Sequence, residues 1–150
     1  MRKLFILIIL QGILLNVSAQ DSRNTIIEKR AREFHRVMGL DDKEQWKKFI
    51  KENYSQALID RPMKAVVKTS DQNNTEANSK KSTENIEERT GMFQRLHQDF
   101  GNSKILSLKP KDENLEMILE NSLGLKGTFN LKFDKKGPYL IDGIGIEVRN

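Results

Sequence analysis

Apolar positions step along the first half of the chain by threes and fours. Between Asn24 and Met38 they are Ile27, Ala31, Phe34 and Met38, the period of a helix with one buried face. Asn24 is the expected N-cap of that helix and Gly39 its stop. A second helix is expected from Asp41, where Asp41 and Glu44 have capping-box spacing with Asp in place of the usual Ser or Thr. Its apolar face is Trp46, Phe49 and Ile50, and Tyr54 ends it. In "SQALIDRP" the residues Ala57, Leu58 and Ile59 make one apolar turn before Pro62 restricts Arg61. A short apolar patch, Met63 to Val67, follows. Helical spacing resumes near Ser82 to Asn85, with Ile86, Phe93, Leu96 and Phe100 on one side and Gly101 as terminator. Gly91 inside this helix costs about 1 kcal/mol relative to Ala.

In the last third the period shifts to two. The stretches "SKILSLK" (103–109), "NLEMILEN" (114–121), "GTFNLKFD" (127–134) and "YLIDGIGIEV" (139–148) are expected strands. They are separated by turn chemistry at Pro110 to Asp112, Ser122 to Lys126 and Lys135 to Pro138, and such short connections favour an antiparallel meander. Leu115, Met117 and Leu119 alternate with polar neighbours, as do Phe129, Leu131 and Phe133. In the fourth strand Tyr139 and Ile141 are odd-numbered but Ile144, Ile146 and Val148 are even, so a bulge at Asp142-Gly143 is expected to reset the face. Helices first and a one-sided sheet second define an α+β domain, with N-terminal helices packed on a curved antiparallel sheet of about four strands.

Two segments fall outside this pattern. Residues 1–19 run from Arg2 and Lys3 through the apolar stretch Leu4 to Leu15 to the small residues Val17-Ser18-Ala19, the order of a secretory signal peptide cut after Ala19. That apolar stretch is short for a membrane span and holds Gln11 and Asn16, so no stable membrane anchor is expected after cleavage. Residues 68–85, "KTSDQNNTEANSKKSTEN", contain no Leu, Ile, Val, Phe or Met, and are expected to be a solvated, flexible insertion. The domain is then 20–150, exported to the periplasm or the extracellular space.

Composition narrows the function. The chain has no cysteine, so it gains no disulfides and has no thiol for a lipoprotein anchor. The net charge is +5, and the mature chain keeps +3 once Arg2 and Lys3 are removed. Its Lys and Arg residues alternate with acids rather than forming a stripe of one sign, and no nucleic-acid partner is expected. Nucleophile elbows, S-x-x-K, H-E-x-x-H, EF-hand and P-loop patterns are absent from the sequence, and Gly143-Ile144-Gly145 lacks the following helix of a dinucleotide site. His35 and His97 have no third ligand at metal spacing. No catalytic residue, metal or cofactor is therefore assigned. Trp46, Tyr54, Phe93, His97 and Phe129 are the candidates for lining a ligand pocket between helices and sheet, with Tyr54 offering a polar contact.

The elements "FIKENYS", "LIDRP", "ERTGMFQRLHQDFG" and "YLIDGIGIEV" occur in that order. The set resembles the small exported domain found beside bacterial β-lactamase-like serine hydrolases and tail-specific peptidases. The resemblance covers most of residues 28–149. It implies a nuclear transport factor 2-like or cystatin-like cone and an accessory module standing alone, without the hydrolase. The sequence departs from the pattern at the polar stretch 68–85. Three readings remain. One is a non-catalytic binding domain for a small apolar ligand or an envelope protein. The second is a small isomerase or dehydratase using a pocket His or Asp as base with Tyr54 as donor. The third is a homodimer assembled through the sheet.

Overall fold

The computed structural model describes residues 2–61 and 82–149, and the side chains of 20–61 and 84–148. The described residues form four helices followed by four strands: α1 (Arg2–Met38), α2 (Lys43–Asn53), α3 (Gln56–Asp60), α4 (Ser82–Phe100), β1 (Lys104–Lys111), β2 (Asn114–Glu120), β3 (Lys126–Phe133) and β4 (Ile141–Arg149). The strands make one open antiparallel sheet in the order β1-β2-β3-β4. This is the α+β architecture expected from the change of period.

Helix boundaries follow local chemistry, with two corrections. Asn24 does not cap α1, which passes through it. No Gly or Pro interrupts residues 13–38, and the Asn24 side chain instead accepts from Gln20 while Thr25 bonds back to the Asp21 carbonyl. The N-cap of α2 is Asp42 rather than Asp41: its carboxylate accepts from the Glu44 and Gln45 amides at 2.9 and 3.1 Å, satisfying two otherwise orphaned donors. The insertion expected at 68–85 lies outside the described residues except for 82–85, the first turn of α4. The apolar patch at 63–67 also lies outside them.

The sheet obeys the expected alternation. Leu115, Met117, Leu119, Phe129, Leu131 and Phe133 are all buried on one face. Cross-strand register places Met117 beside Phe129 and Leu115 beside Leu131, so the buried face is continuous. The β3–β4 register slips by one residue between Lys132↔Gly143 and Phe133↔Ile141. Asp142 is the extra residue, and the slip puts Ile141 on the same face as Ile144 and Ile146, as the parity break required. β4 starts at Ile141 rather than at Tyr139, because Tyr139 has a positive φ of 55° that no strand residue adopts. A second bulge, at Leu106 in β1, has no counterpart in the sequence pattern.

Helices cover the apolar face. The Arg23 guanidinium lies 5.5 Å from the Tyr139 ring and donates to the Asp112 carbonyl, while Arg30 reaches Asn53 Oδ1 at 2.8 Å and the Pro138 carbonyl at 3.0 Å. These contacts seat α1 across the two hairpin ends of the sheet. At the other end two helix termini meet through glycines. A Cβ on Gly39 would lie 3.0 Å from the Gly101 carbonyl oxygen, and one on Gly101 only 2.5 Å from that of His97. The close approach of the two helix ends therefore depends on bare backbone at Gly39, while Gly101 keeps a Cβ away from the last turn of its own helix.

Candidate functional site: the aromatic interior and the Tyr54 corner

The five sequence-derived pocket residues fall in one region. Trp46 of α2 stacks with Phe93 of α4 at 6.3 Å between centroids, and the His97 ring lies 5.8 Å from the indole. Phe34 of α1 bridges Phe93 at 5.2 Å to Phe129 of β3 at 6.2 Å. Tyr54 joins through Phe49, edge to face at 6.1 Å. Trp46, Phe93 and Phe129 have no exposed surface. Each ring occupies space that another packs against, and such burial contributes about 1.5–3 kcal/mol per large apolar side chain. Three surface depressions are lined by other residues: one on the outer face of α1 from Asp21 to Arg36, one at the sheet end from Asn102 to Gly124, and a small cleft between α1 and α2.

Two polar atoms of this interior are turned to the backbone. Trp46 Nε1 donates to the Val37 carbonyl at 3.0 Å, and His97 Nδ1 donates to that of Met38 at 3.0 Å. Both bonds tie to the end of α1, where carbonyls lack helical partners. His35 is placed apart, its Nε2 against the Ser103 carbonyl at 3.0 Å and hydroxyl at 3.2 Å. Burial holds the His35 pKa below the ordinary range, partly offset by the Ser103 bond. Among the described residues no three His, Asp or Glu side chains converge as a metal site would need.

"KENYSQALIDRP" builds a corner that joins the helices to β4. Tyr54 ends α2 and makes a parallel bridge to Ile141, with the Ser55 amide donating to the Ile141 carbonyl at 2.8 Å. Ser55 caps α3 by accepting from the Leu58 amide at 3.0 Å and donates its hydroxyl to Asp142 Oδ1 at 2.7 Å. Arg61 extends to the Asp142 backbone carbonyl at 3.4 Å rather than to an acid. From α4, Arg89 donates to the carbonyls of Leu58 and Arg61 and so closes the C-terminal end of α3.

This corner carries unusual electrostatics. Arg89 is 5% exposed, and burial lowers its pKa, partly offset by Tyr54. The Tyr54 hydroxyl and Arg89 Nε are buried without hydrogen-bond partners among the described residues. Burial pushes the Tyr54 phenol far above its ordinary range against the opposing pull of Arg89. The phenol is therefore neutral throughout the physiological range, able to donate a proton in a hydrogen bond but not to act as a base. The charged group beside Tyr54 is the Arg89 guanidinium.

Arg89 and Ser55 are absent from the sequence-derived set. Arg89 had a readable signal: it lies three residues after Ile86 and four before Phe93, on the apolar stripe of α4, where a charged residue must find buried partners. Ser55 had one too, as a hydroxyl residue directly before a helical turn.

The fold class and this corner together define a small α+β domain with a packed aromatic interior. No protein-family model, curated protein or solved structure matches the chain.

Proposed function

We propose that this protein is an exported, non-catalytic accessory domain of the nuclear transport factor 2-like kind, acting in the periplasm or outside the cell by binding an envelope protein or a small apolar ligand through its sheet. The observation that carries the reading is at β4. Ile144 and Ile146 continue the apolar face of Leu131 and Phe129 but are only half-buried, and Val148 is 53% exposed. The apolar face thus runs past its helical cover, a mark of an interaction surface rather than of a finished exterior. A second support is chemical. Nε2 of His35, Nδ1 of His97 and Nε1 of Trp46 each face a backbone carbonyl, and Tyr54 is held neutral, an arrangement in keeping with a packed interior. Export rests on the residue order of 1–19. Among the described residues no helix is long and apolar enough to cross a membrane.

The test is a ligand and partner screen read by thermal shift. Binding that raises the melting temperature of the native protein, and fails to do so in Val148→Lys, supports the reading. A binder whose shift survives that substitution but is lost in Tyr54→Phe would move the site to the Tyr54 corner.

A further inference from the structure

The two edges of the sheet are built differently. β1 carries Lys104, Lys109 and Lys111, the imino acid Pro110 and the bulge that leaves Leu106 exposed. Charged lysines, a missing N–H and a bulge each block the addition of a further strand. β4 has none of these between Gly143 and Val148. Among the described residues its edge is occupied only at the start, where Tyr54 and Ser55 meet Ile141, and no strand lies beyond it.

Resting on the reading of β4 as the binding surface, we infer that its occupant is β4 of a second copy of this chain, paired antiparallel about a twofold axis at Gly145. The residue pattern is self-complementary in that register. Ile144 falls opposite the partner's Ile146, and Ile146 opposite the partner's Ile144, so four isoleucines abut on the face that the helices leave half-covered. On the outer face Glu147 falls opposite the partner's Gly143, and the two Gly145 residues face each other, so no like charges oppose. Neighbouring registers are worse. Centring on Ile146 makes the two Glu147 carboxylates diagonal neighbours, and centring on Ile144 carries the incoming strand two residues past Ile141, across Tyr54 and Ser55, whereas about Gly145 only its last residue, Arg149, reaches Ile141. The guarded β1 edge decides between closure and propagation: β4-to-β1 addition would build a fibre, whereas β4-to-β4 pairing closes at two copies.

Gly145 offers a direct test, since a Cβ there meets nothing nearer than Asn130 Cβ at 3.8 Å and its φ is not in the left-handed region. Sedimentation equilibrium of the full chain should give twice the chain mass of 17.4 kDa as concentration rises. Gly145→Asp and Gly145→Lys should each weaken self-association by about tenfold or more through like charges set directly opposite, with the dilute melting temperature unchanged. Mixing the two variants should restore the dimer, which association through the apolar N-terminal stretch would not do. Wild-type protein that stays monomeric, with the amides of residues 143–148 either exchanging freely or protected within the monomer, overturns the inference. So does a dimer that both substitutions leave intact. A monomer that still binds a ligand or a different protein overturns only the dimer, whereas the binding reading fails separately if the thermal-shift screen finds nothing.

Discussion

At Tyr54 ring and hydroxyl have opposite circumstances: the ring packs edge-on against Phe49, while the hydroxyl is buried beside Arg89 with no partner among the described residues. A buried polar group without a bond costs about 1–3 kcal/mol. Tyr54→Phe should therefore raise stability by about 1 kcal/mol in urea denaturation; a comparable loss would show that the hydroxyl is bonded. Glycines give a contrasting pair. Gly91 is exposed in α4 with no atom within 4 Å of an added Cβ, so Gly91→Ala should stabilise by about 0.4–1 kcal/mol. Gly101→Ala drives a Cβ into the His97 carbonyl and should cost about 1–3 kcal/mol. At His35 the folded pKa lies below its ordinary 6.5. Between those two values the unfolded chain binds more protons than the folded one. The stabilising contribution is thus fully present above about pH 6.5 and is lost as pH falls towards the folded value. Melting temperatures measured across that window should fall on acidification, and His35→Gln should flatten the slope.

Among the elements, the short helix α3 depends most on a residue outside itself. Its five residues are too few for a stable helix alone. Ser55 holds its beginning and Arg89 its end. Arg89→Met leaves the carbonyls of Leu58 and Arg61 without that donor and should destabilise by about 2–3 kcal/mol, with hydrogen exchange rising first at residues 55–61. The elements themselves were largely legible in the sequence, because hydrophobic period is a local property that burial then enforces. Phe129, Leu131 and Phe133 alternate, and the structure buries all three; the parity break in β4 marked its bulge. What failed was set by other physics. The start of α1 could not be read at Asn24 because a good capping residue also sits comfortably within a helix when its neighbour supplies a bond. The Leu106 bulge escaped because alternation in β1 is weak. The candidates Trp46, Tyr54, Phe93, His97 and Phe129 were legible as neighbours, because helical and alternating spacing sets them on inward faces, and the ring contacts they make follow from packing of distant segments.

For the whole molecule, the division between a filled interior and an unfinished edge organises the functional account. Trp46, Phe93 and Phe129 are fully enclosed, and Trp46 Nε1 and His97 Nδ1 bond to backbone. The proposed binding surface is the stretch of β4 where the apolar face passes beyond the helices, next to the corner where Ser55 and Arg61 hold Asp142. The Lys-rich outer face makes no comparable claim, since Lys104 and Lys126 both pair with Glu120. The most direct test of an exported binding domain is native mass spectrometry of the protein recovered from the envelope of a bacterial host expressing the whole chain. The account predicts a chain beginning at Gln20 and a non-covalent mass above that of one chain, reduced to a single chain by Ile146→Lys. A bare single chain that retains Met1 to Ala19 and gains no bound mass at any concentration would contradict it.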